Sequence, residues 1–520
     1  MRVTNKIMQN NTLYNINQNK IIQDKINTQI TTKKKVTRPS DDPVVAIRAL
    51  RLRSNLNEVS QYYERNIPDA KNWMDLTESS VTTTVDIISN MVDEMRKGSK
   101  GTLTPSDRAT ILESLKQLAE EVYYTGDSDY AGRTIFTGYR TDMKLSFQYS
   151  ETQNYSITEQ LNNEVIDEIT YVYTGDLEAT NESNYQTGTI EQEVEKFKLN
   201  RIRLSYDDLN AGTTPVLEKV VAYDNTGNPI TQPAIATPVM TVSKDGAVDP
   251  YRMVSDPNYS EYQPDVNVYI PETGEILLCE KAFNDLKNLD PETEITITYD
   301  KEEWVKGDLR PEHYFRCETK ETNPDGTVSD VIFNESYLTR NGRENKQVIQ
   351  YDVGFNMSLD VNVTADEVYE HGVTRCVNEV VDLLEQAQQL DEVISNLKNM
   401  LNDSKYDHDM VNAKLEAAQK AQTYVSDALQ KKFEHGITEM QGYLDDANLA
   451  LTQVGNRGLR LELVENRLLN QKTSFTELQS KNEDADLAEL AVELSSAQLT
   501  YNAALAATGK MLSTTLLNYI

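Results

Sequence analysis

The chain has 520 residues and a formal net charge of −32, and this length is enough for about three domains. The charge is uneven: residues 1–40 carry eight basic and one acidic side chain, a net +7, whereas residues 141–370 carry 44 acidic and 18 basic ones, a net −26. Nucleic acid is therefore not expected as a partner, because affinity for phosphates depends on cationic side chains.

The residues suited to metals and disulfides are sparse. The three cysteines, Cys279, Cys317 and Cys376, are odd in number and far apart, and there are only four histidines. We therefore expect no disulfide framework, no metal site and no cofactor. The one mixed cluster, Asp407-His408-Asp409, is interpreted as a loop followed by a helix cap.

Two absences bear on localisation. No stretch of 18 apolar residues is present, so no membrane span or membrane partner is predicted. The first 20 residues contain no apolar run, so a Sec-type signal peptide is not predicted either. The chain is expected to be cytosolic or exported by a route that does not read such a signal.

A three- and four-residue spacing runs from Val45 to Met91, mostly apolar but including Asn66, Thr77, Ser80 and Thr84, and a second stripe runs beside it from Val81 to Met95. Two stripes predict a helix that packs on two sides, as in a bundle or coiled coil. A helix over residues 44–97 would be about 80 Å long, with a bend expected at Pro68. Gly98 is predicted to end it, and a shorter helix is predicted over residues 105–124 with Thr104 as its cap.

The C-terminal part has the same spacing over residues 376–401, 411–429 and 433–478, with a break at 402–407. No proline follows residue 324, so this region is free to be helical. The helices at the two ends of the chain are therefore expected to pair with each other across the middle of the sequence.

The middle of the chain is different in character. It holds more than half of the 28 tyrosines, short alternating runs such as residues 294–299, and turn signals such as NPDG. These features predict strands. The stretch YAGRTIFTGYRT, residues 130–141, predicts a small hairpin just before this region.

These patterns together predict an α+β multidomain protein. Its stem is a long helical bundle or coiled coil formed by the N- and C-terminal segments, and a β-rich outer domain is inserted between them. The predicted limits are residues 1–42 and 481–520 for the terminal helices, 43–141 and 366–480 for the stem with its hairpin, and 142–365 for the outer domain.

The two terminal segments are too thinly apolar to stay helical alone. We expect both to be disordered in the monomer and to fold when copies pack together, which makes their apolar residues a candidate assembly interface. These residues are Leu13, Ile16, Ile22, Ile26, Ile30, Leu487, Leu494, Tyr501, Leu505, Leu512 and Leu516.

The stretch RPSDDP, residues 38–43, places two carboxylates between two prolines. A residue before proline is extended, which suits an N-cap, and proline suits the first helical position. Asp42 is therefore predicted to cap the stem helix that begins at Pro43, with Asp41 adding favourable charge at its positive end. A catalytic or metal role is not predicted for this acid pair.

Several of these motifs resemble the flagellin and hook-associated superfamily of bacterial flagellar axial proteins, and most closely its hook-associated protein 3 family. The resemblance covers about half of the chain, at both ends. It is carried by residues 39–43, 362–369, 464–468 and 482–487 and by the motif residues Gly132, Arg133, Phe136, Gly138 and Tyr139. The middle, at residues 142–365, is large for this family's outer domain and is not recognised.

The resemblance implies a structural protein of the hook-filament junction, outside the cell. Its implied partners are hook-associated protein 1, flagellin, an export chaperone and further copies of itself in a ring of about eleven. It implies export through the flagellar type III channel. A filament flagellin is the alternative, although residues 39–43 and 132–139 favour the junction family.

Catalysis and adhesion are the two alternatives to a structural role. Adjacent acids such as Asp207-Asp208 and Glu302-Glu303 follow from the acidic composition, and no known catalytic motif accompanies them, so the chain is not predicted to be an enzyme. The tyrosines of the middle region could form an adhesive face for a host or matrix ligand, but packing within the sheets is the favoured explanation.

Overall fold

The computed structural model describes residues 5–100, 104–235, 240–241, 267–290, 293–322, 328–340 and 347–517. The chain divides into two units. Unit 1 comprises Met1–Lys71, Tyr351–Leu359 and Leu459–Ile520, and unit 2 comprises Asn72–Gln350 and Asp360–Gly458. The architecture is α+β, as predicted, with long helices at both ends of the sequence and mainly antiparallel sheets between them, in which β8 (Met240–Thr241) and β9 (Val268–Ile270) pair in parallel.

The helices within the described residues are long except for one. They are α1 (Asn5–Thr32), α2 (Pro43–Gln61), α3 (Ile67–Gly98), α4 (Pro105–Gly126), α5 (Glu280–Lys287), α6 (His371–Met400), α7 (His408–Glu483) and α8 (Leu487–Leu517). The predicted break at 402–407 is confirmed, because α6 and α7 are separated there. Asp407 caps α7 as predicted: its Oδ1 accepts hydrogen bonds from the backbone N–H groups of Asp409 and Met410.

A π-helical turn, Tyr62–Asn66, joins α2 to α3. The N–H of Ile67 donates to the carbonyl of Tyr62, five residues earlier. Pro68 has no N–H to donate to Glu64, and its ring would crowd that carbonyl in a regular helix. The sequence predicted an irregularity at Pro68, and it lies instead in the turn just before the proline.

The start of α4 has the predicted cap. Thr104 Oγ1 accepts from the N–H of Asp107 at 3.2 Å, and Asp107 Oδ2 accepts from the N–H of Thr104 at 3.0 Å. This reciprocal capping box satisfies two backbone donors that the helix leaves open. Pro105 occupies the first turn, where its missing N–H has no cost.

Unit 2 contains two larger sheets. The strands within the described residues are β1 (Asp129–Tyr130), β2 (Arg133–Thr134), β3 (Glu151–Leu161), β4 (Ile166–Tyr173), β5 (Glu195–Arg203), β6 (Val216–Tyr223), β7 (Pro229–Pro233), β8 (Met240–Thr241), β9 (Val268–Ile270), β10 (Glu275–Leu278), β11 (Ile295–Trp304), β12 (Arg316–Thr322), β13 (Val328–Phe333), β14 (Gln350–Gly354) and β15 (Met357–Asp360). One sheet has the order β4-β5-β10-β9-β8, and the other has the order β13-β12-β3-β11-β6-β7.

The two sheets share one core. Inward residues of β5 and β10, such as Ile202 and Ile276, belong to the same buried cluster as Ile157 of β3 and Tyr299 of β11. Tyr299 lies opposite Ile157 in the β11–β3 register. Trp304 closes one end of this core: its ring stacks on Phe147 at 4.6 Å and meets Tyr155 and Tyr206 edge-on. Tyrosine in this region therefore serves packing, as favoured from the sequence.

The helical part of unit 2 buries the two predicted stripes. Trp73, Thr77, Thr84 and Met91 are buried along one stripe of α3, and Val81, Ile88, Val92 and Met95 are buried along the stripe beside it. On α6 and α7, residues such as Leu390, Leu397, Ala418 and Val425 form a second core cluster, which also receives Val172 of β4. The stripe spacing thus identified the buried faces of these helices.

The middle region differs in three details from its sequence prediction. Helix α5 was not predicted; its two turns bury Ala282 and Leu286, and Cys279 caps it. The hairpin predicted over residues 130–141 is shorter, because only β1 and β2 pair. Residues 351–359, predicted as outer domain, belong to unit 1.

The acidic region contains a buried network of ion pairs. Arg201, with a fully buried side chain, contacts Asp167 Oδ2 at 2.9 Å, Glu379 Oε1 at 2.7 Å and also Glu275. Burial opposes ionisation of Glu379, but the charges of Arg201, Arg203 and Lys432 outweigh it and lower its pKa. Part of the acid excess therefore holds β4, β5 and β10 against α6 and α7.

Gly98, at the end of α3, tests the packing of unit 2. A Cβ built there would lie 2.3 Å from the ring of Phe433, which is fully buried. We expect Gly98→Ala to destabilise unit 2 by about 1 to 3 kcal/mol through overpacking. The control is Gly455→Ala, also within a helix but with open space around its Cβ, which should stabilise by about 0.5 to 1 kcal/mol. Thermal unfolding followed by circular dichroism measures both, and equal shifts would contradict this account.

The burial of His371 should make the stability of unit 2 depend on pH. Its ring packs against Tyr314 at 4.5 Å and Tyr206 at 4.7 Å, and burial lowers its pKa to about 3. The unfolded state therefore takes up a proton from pH 6.5 downward while the folded state does not. Its contribution to stability is complete above pH 6.5 and falls by about 1.4 kcal/mol per unit below it. Burial raises the pKa of Glu370 to about 7, which acts in the opposite direction between about pH 4.5 and 7.

The variant His371→Gln isolates this effect. Its unfolding free energy should fall less steeply between pH 6.5 and 4 than that of the wild type, by about one proton. Denaturant titrations at a series of pH values measure the slope. Parallel profiles for the two proteins would show that His371 is not responsible.

Candidate assembly interface

Helices α1 and α8 lie side by side in unit 1 and run in opposite directions. Gln23 Nε2 donates to the carbonyl of Ala497 at 2.9 Å. Among the described side chains of this helix pair, the buried apolar ones are Ile16 and Ile26 of α1 and Leu490 of α8. The pair therefore has a narrow apolar seam, and most of its surface faces outward.

The predicted interface residues divide between this seam and the outer surface. Ile16 and Ile26 are buried, and Ile30, Leu494 and Tyr501 are half-buried. Leu13, Ile22, Leu487 and Leu505 are exposed in the single chain. Leu512 and Leu516 fall within α8 but outside the part whose side chains the structure describes.

A further apolar stripe on α1 was missed by the sequence reasoning. Ile7, Tyr14 and Ile21 follow one another at seven-residue intervals, and all three are exposed; Tyr14 is 64% exposed. On α8, Val492 and Leu499 are also seven residues apart and exposed. A seven-residue period is the sequence signal of a helix face that packs against another helix.

One end of this helix pair is joined by what we call the clamp, residues 33–35 and 482–485. Lys34 and Asp484 form an antiparallel β-bridge. The N–H of Lys35 donates to the carbonyl of Glu483 at 2.7 Å, and the N–H of Ala485 donates to that of Lys33 at 3.1 Å. Lys33 ends α1 in the left-handed region, at φ 58°.

Charged side chains surround the clamp. Arg53 of α2 donates to both carboxylate oxygens of Glu483, at 2.8 and 2.6 Å, and Lys34 Nζ lies 2.6 Å from Asp484 Oδ1. The hydrogen bonds from Arg53 lower the pKa of Glu483, and the hydrogen bond to Asp484 raises the pKa of Lys34. Lys34 of the basic N-terminal segment is therefore paired with acids near the other end of the sequence, and Lys35 Nζ donates to the carbonyl of Lys481.

An aspartate caps the first turn of each helix that starts beside the clamp, α2 and α8. Asp42 Oδ1 accepts from the N–H groups of Val44 and Val45 at 3.0 and 3.1 Å, so Asp42 is the N-cap of α2, with Pro43 as the first helical residue. Asp41 instead accepts from the N–H of Arg38, which shapes the turn before the cap. Asp486 Oδ1 accepts from the N–H groups of Ala488 and Glu489 at the start of α8.

The β14–β15 hairpin packs on the π-helical turn of unit 1. Phe355 meets the ring of Tyr62 edge-on at 5.9 Å, and Asn66 Nδ2 donates to the carbonyl of Asp352 at 2.8 Å. The carboxylate of Asp69 accepts from the hydroxyl of Tyr351. The irregular turn thus presents side chains that fix the hairpin.

The motif residues 132–139 lie in unit 2 and serve local packing. Gly132, at φ 79°, completes the turn between β1 and β2, and the guanidinium of Arg133 lies 5.2 Å from the ring of Trp73. Phe136 is buried against Tyr369, with ring centroids 4.9 Å apart.

The second half of the motif approaches Gln347. Gly138 has φ 60°, and a Cβ there would lie 2.4 Å from Gln347 Oε1. The same oxygen accepts from the N–H of Tyr139 at 2.7 Å, while the Tyr139 side chain is exposed. The motif therefore connects the hairpin to the segment that precedes α6.

The adjacent acids considered as catalytic candidates are either engaged in an ion pair or exposed. Asp207 lies 3.1 Å from Arg375 in an ion pair, while Asp208 and, on β11, Glu302 and Glu303 are exposed. Within the described residues, no group of three or more histidine, cysteine, aspartate or glutamate side chains is arranged to hold a metal ion. Among the described helices, none has the length and apolarity needed to cross a membrane.

Comparison with known proteins gives a family match for the N-terminal region of the chain. Residues 3–141 match the family of the bacterial flagellin N-terminal helical region. This part of the chain, from α1 to the β1–β2 hairpin, is thus similar to the N-terminal helical region of bacterial flagellins.

Two sequence relatives of the chain are flagellar hook-associated proteins. The chain is 30% identical over 144 residues to flagellar hook-associated protein 3 of Salmonella typhimurium and of Escherichia coli, which is 27% of this chain and 45% of each relative. The chain thus matches less than half the length of these relatives. The resemblance predicted from the motifs is confirmed over this region.

Two solved structures that the chain matches have low sequence identity and low TM-scores. A putative flagellar hook-associated protein from Vibrio parahaemolyticus is 12% identical, with a TM-score of 0.34 over 85% of this chain and 100% of that one. Flagellar hook-associated protein 3 from Legionella pneumophila is 10% identical, with a TM-score of 0.29 over 83% and 97%.

The cap of α2 can be tested by a matched pair of variants. Asp42→Ala removes both hydrogen bonds to Val44 and Val45 and should cost about 1 kcal/mol in the stability of the first turn. Asp42→Asn keeps a capping oxygen and should cost less. Hydrogen exchange of the first turn of α2 measures both, and identical exchange in the two variants would contradict the capping account.

Proposed function

We propose that this protein is a structural subunit of the bacterial flagellum at the hook-filament junction, where it joins hook-associated protein 1 to the flagellin filament. The observation that carries the proposal is the helix pair formed by α1 and α8, with apolar stripes that a single chain leaves exposed. The N-terminal match to flagellins and the names of the relatives support the same role.

The exposed stripes favour packing between copies. Ile7, Tyr14 and Ile21 on α1 and Val492 and Leu499 on α8 present apolar side chains at the period of helix-helix packing. On α2, Val44, Ile47 and Leu50 add a second exposed apolar row. Contiguous apolar surface of this kind marks a protein interface. We propose that copies close into a ring, of about eleven subunits by family resemblance.

The thin seam between α1 and α8 supports a further part of the proposal. Because this pair buries few apolar side chains, its free energy of folding in a single chain is small. We propose that the terminal segments are disordered in the monomer and order on assembly. Such segments suit export in an unfolded state, outside the cell, by the flagellar type III route with a chaperone.

A filament flagellin remains the second candidate, because the family match covers the N-terminal region that flagellins share. An enzymatic role is not proposed, since the acid pairs are engaged in ion pairs or exposed and the relatives are named as flagellar components. The outer β-rich region is proposed to face outward, and we assign it no ligand.

Deletion of the gene tests the proposed role. We expect intact hooks, no filaments and flagellin released into the medium, because the filament would have no base on which to grow. Electron microscopy and analysis of the culture medium provide the measurement. Normal filaments in the mutant would overturn the proposal, whereas loss of the filament protein itself, with the chain abundant in sheared wild-type filaments, would support the flagellin alternative.

The exposed stripe on α1 can be tested separately. Tyr14→Glu places a charge within the stripe and should reduce incorporation at the hook end about tenfold or more, because assembly would bury that charge unpaired. Asn15→Glu adds the same charge one residue away on an exposed position and is the matched control. Immunoblots of purified hook-filament particles measure incorporation, and equal loss in both variants would exclude a specific role for the stripe.

A further inference from the structure

Glu483 is the point at which three separate segments of unit 1 meet. Its carboxylate receives Arg53 of α2 on both oxygens and lies 3.4 Å from Lys34 Nζ, while its backbone carbonyl accepts from the N–H of Lys35. The side chain is only 5% exposed. A buried carboxylate with this set of partners fixes all of them together.

The clamp lies between the end of α1 and the start of α8, and its hydrogen bonds join the two segments. The hydrogen bonds of the bridge involve Lys33 and Lys35 on one side and Glu483 and Ala485 on the other. Lys33 directly follows α1, and Ala485 lies two residues before α8. Residues 33–35 have these backbone partners only when residues 483–485 are in place, and the reverse also holds.

The helices themselves supply little independent stability. Among the described side chains of α1 and α8, the buried apolar ones are Ile16, Ile26 and Leu490. A helix pair with so few buried side chains depends on the contacts that hold its segments together. In unit 1 the clamp provides such contacts at the end where α1 finishes and α8 begins.

We infer that α1 and α8 order in a single step, and that Glu483 is the positioning residue that sets the equilibrium of this step. Neither terminal helix then becomes ordered without the other. The inference concerns unit 1 alone and does not depend on the proposed place in the flagellum. It adds to that proposal a coupling between two segments that are distant in sequence.

The test uses the full chain and an osmolyte series. Trimethylamine N-oxide favours folded states of marginal segments, so it moves the order of both helices through a measurable transition. Hydrogen-deuterium exchange of peptides within residues 5–32 and 487–510 reports each helix separately. In the wild type, the two transitions should have the same midpoint.

Glu483→Gln removes the charge that pairs with Arg53 and Lys34. We expect both midpoints to move together to higher osmolyte, with the ordered-to-disordered ratio about tenfold lower for each helix. Glu477→Gln is the matched control, because Glu477 forms an exposed ion pair with Lys481 on the same helix. This control should leave both midpoints unchanged.

A second variant approaches the clamp from the opposite side. Lys34→Met should also shift α8, although Lys34 belongs to the N-terminal segment. Separate midpoints in the wild type, or a Glu483→Gln shift confined to one helix, would overturn the inference. Because the readout is exchange in the isolated chain, its failure would leave the gene-deletion result unaffected, and failure of the junction role would leave the coupling intact.

Discussion

A helix of 76 residues such as α7 cannot bury its apolar side chains against itself, and this constraint shapes both units of the protein. In unit 2 the partners are present: Met95 of α3 and Cys376 of α6 both lie close to Gly436 of α7, where an added Cβ would lie 3.0 Å from the Cys376 sulfur. In unit 1 the partners are fewer, so apolar rows on α1, α2 and α8 stay exposed. The same requirement explains a well-packed region and an incomplete one within a single chain.

The sequence predicted the helices well because burial repeats along a helix at a fixed interval. Thr104, Asp107 and Asp42 were also readable, since a cap is a contact between near neighbours in the chain. The π-helical turn at Tyr62–Asn66 was not, because the apolar spacing is compatible with a regular helix and only the position of Pro68 indicates a disturbance. Residues 351–359 show a third situation: strand signals identify β14 and β15 but not the surface on which the hairpin packs.

The candidate interface was predictable only in part, because helical spacing can be read from the sequence but contacts between distant segments cannot. The seam residues Ile16 and Ile26 follow from helical spacing, and the seven-residue interval of Ile7, Tyr14 and Ile21 could have been read in the same way. The clamp could not, because the partners of Lys34 lie about 450 positions away. Lys34, which the sequence shows only as part of a basic segment, is paired with Asp484, as Arg201 is with Glu379 in unit 2.

The direction of the bridge between Lys34 and Asp484 has a practical consequence. Because the bridge is antiparallel, α1 runs toward it and α8 runs away from it, so Asn5 and Leu517 lie at the same far end of the helix pair. At about 1.5 Å per residue, both helices reach more than 40 Å from the bridge. An affinity tag or fluorophore placed beside Asn5 therefore occupies the same neighbourhood as one placed beside Leu517, and the two are not independent labels of this molecule.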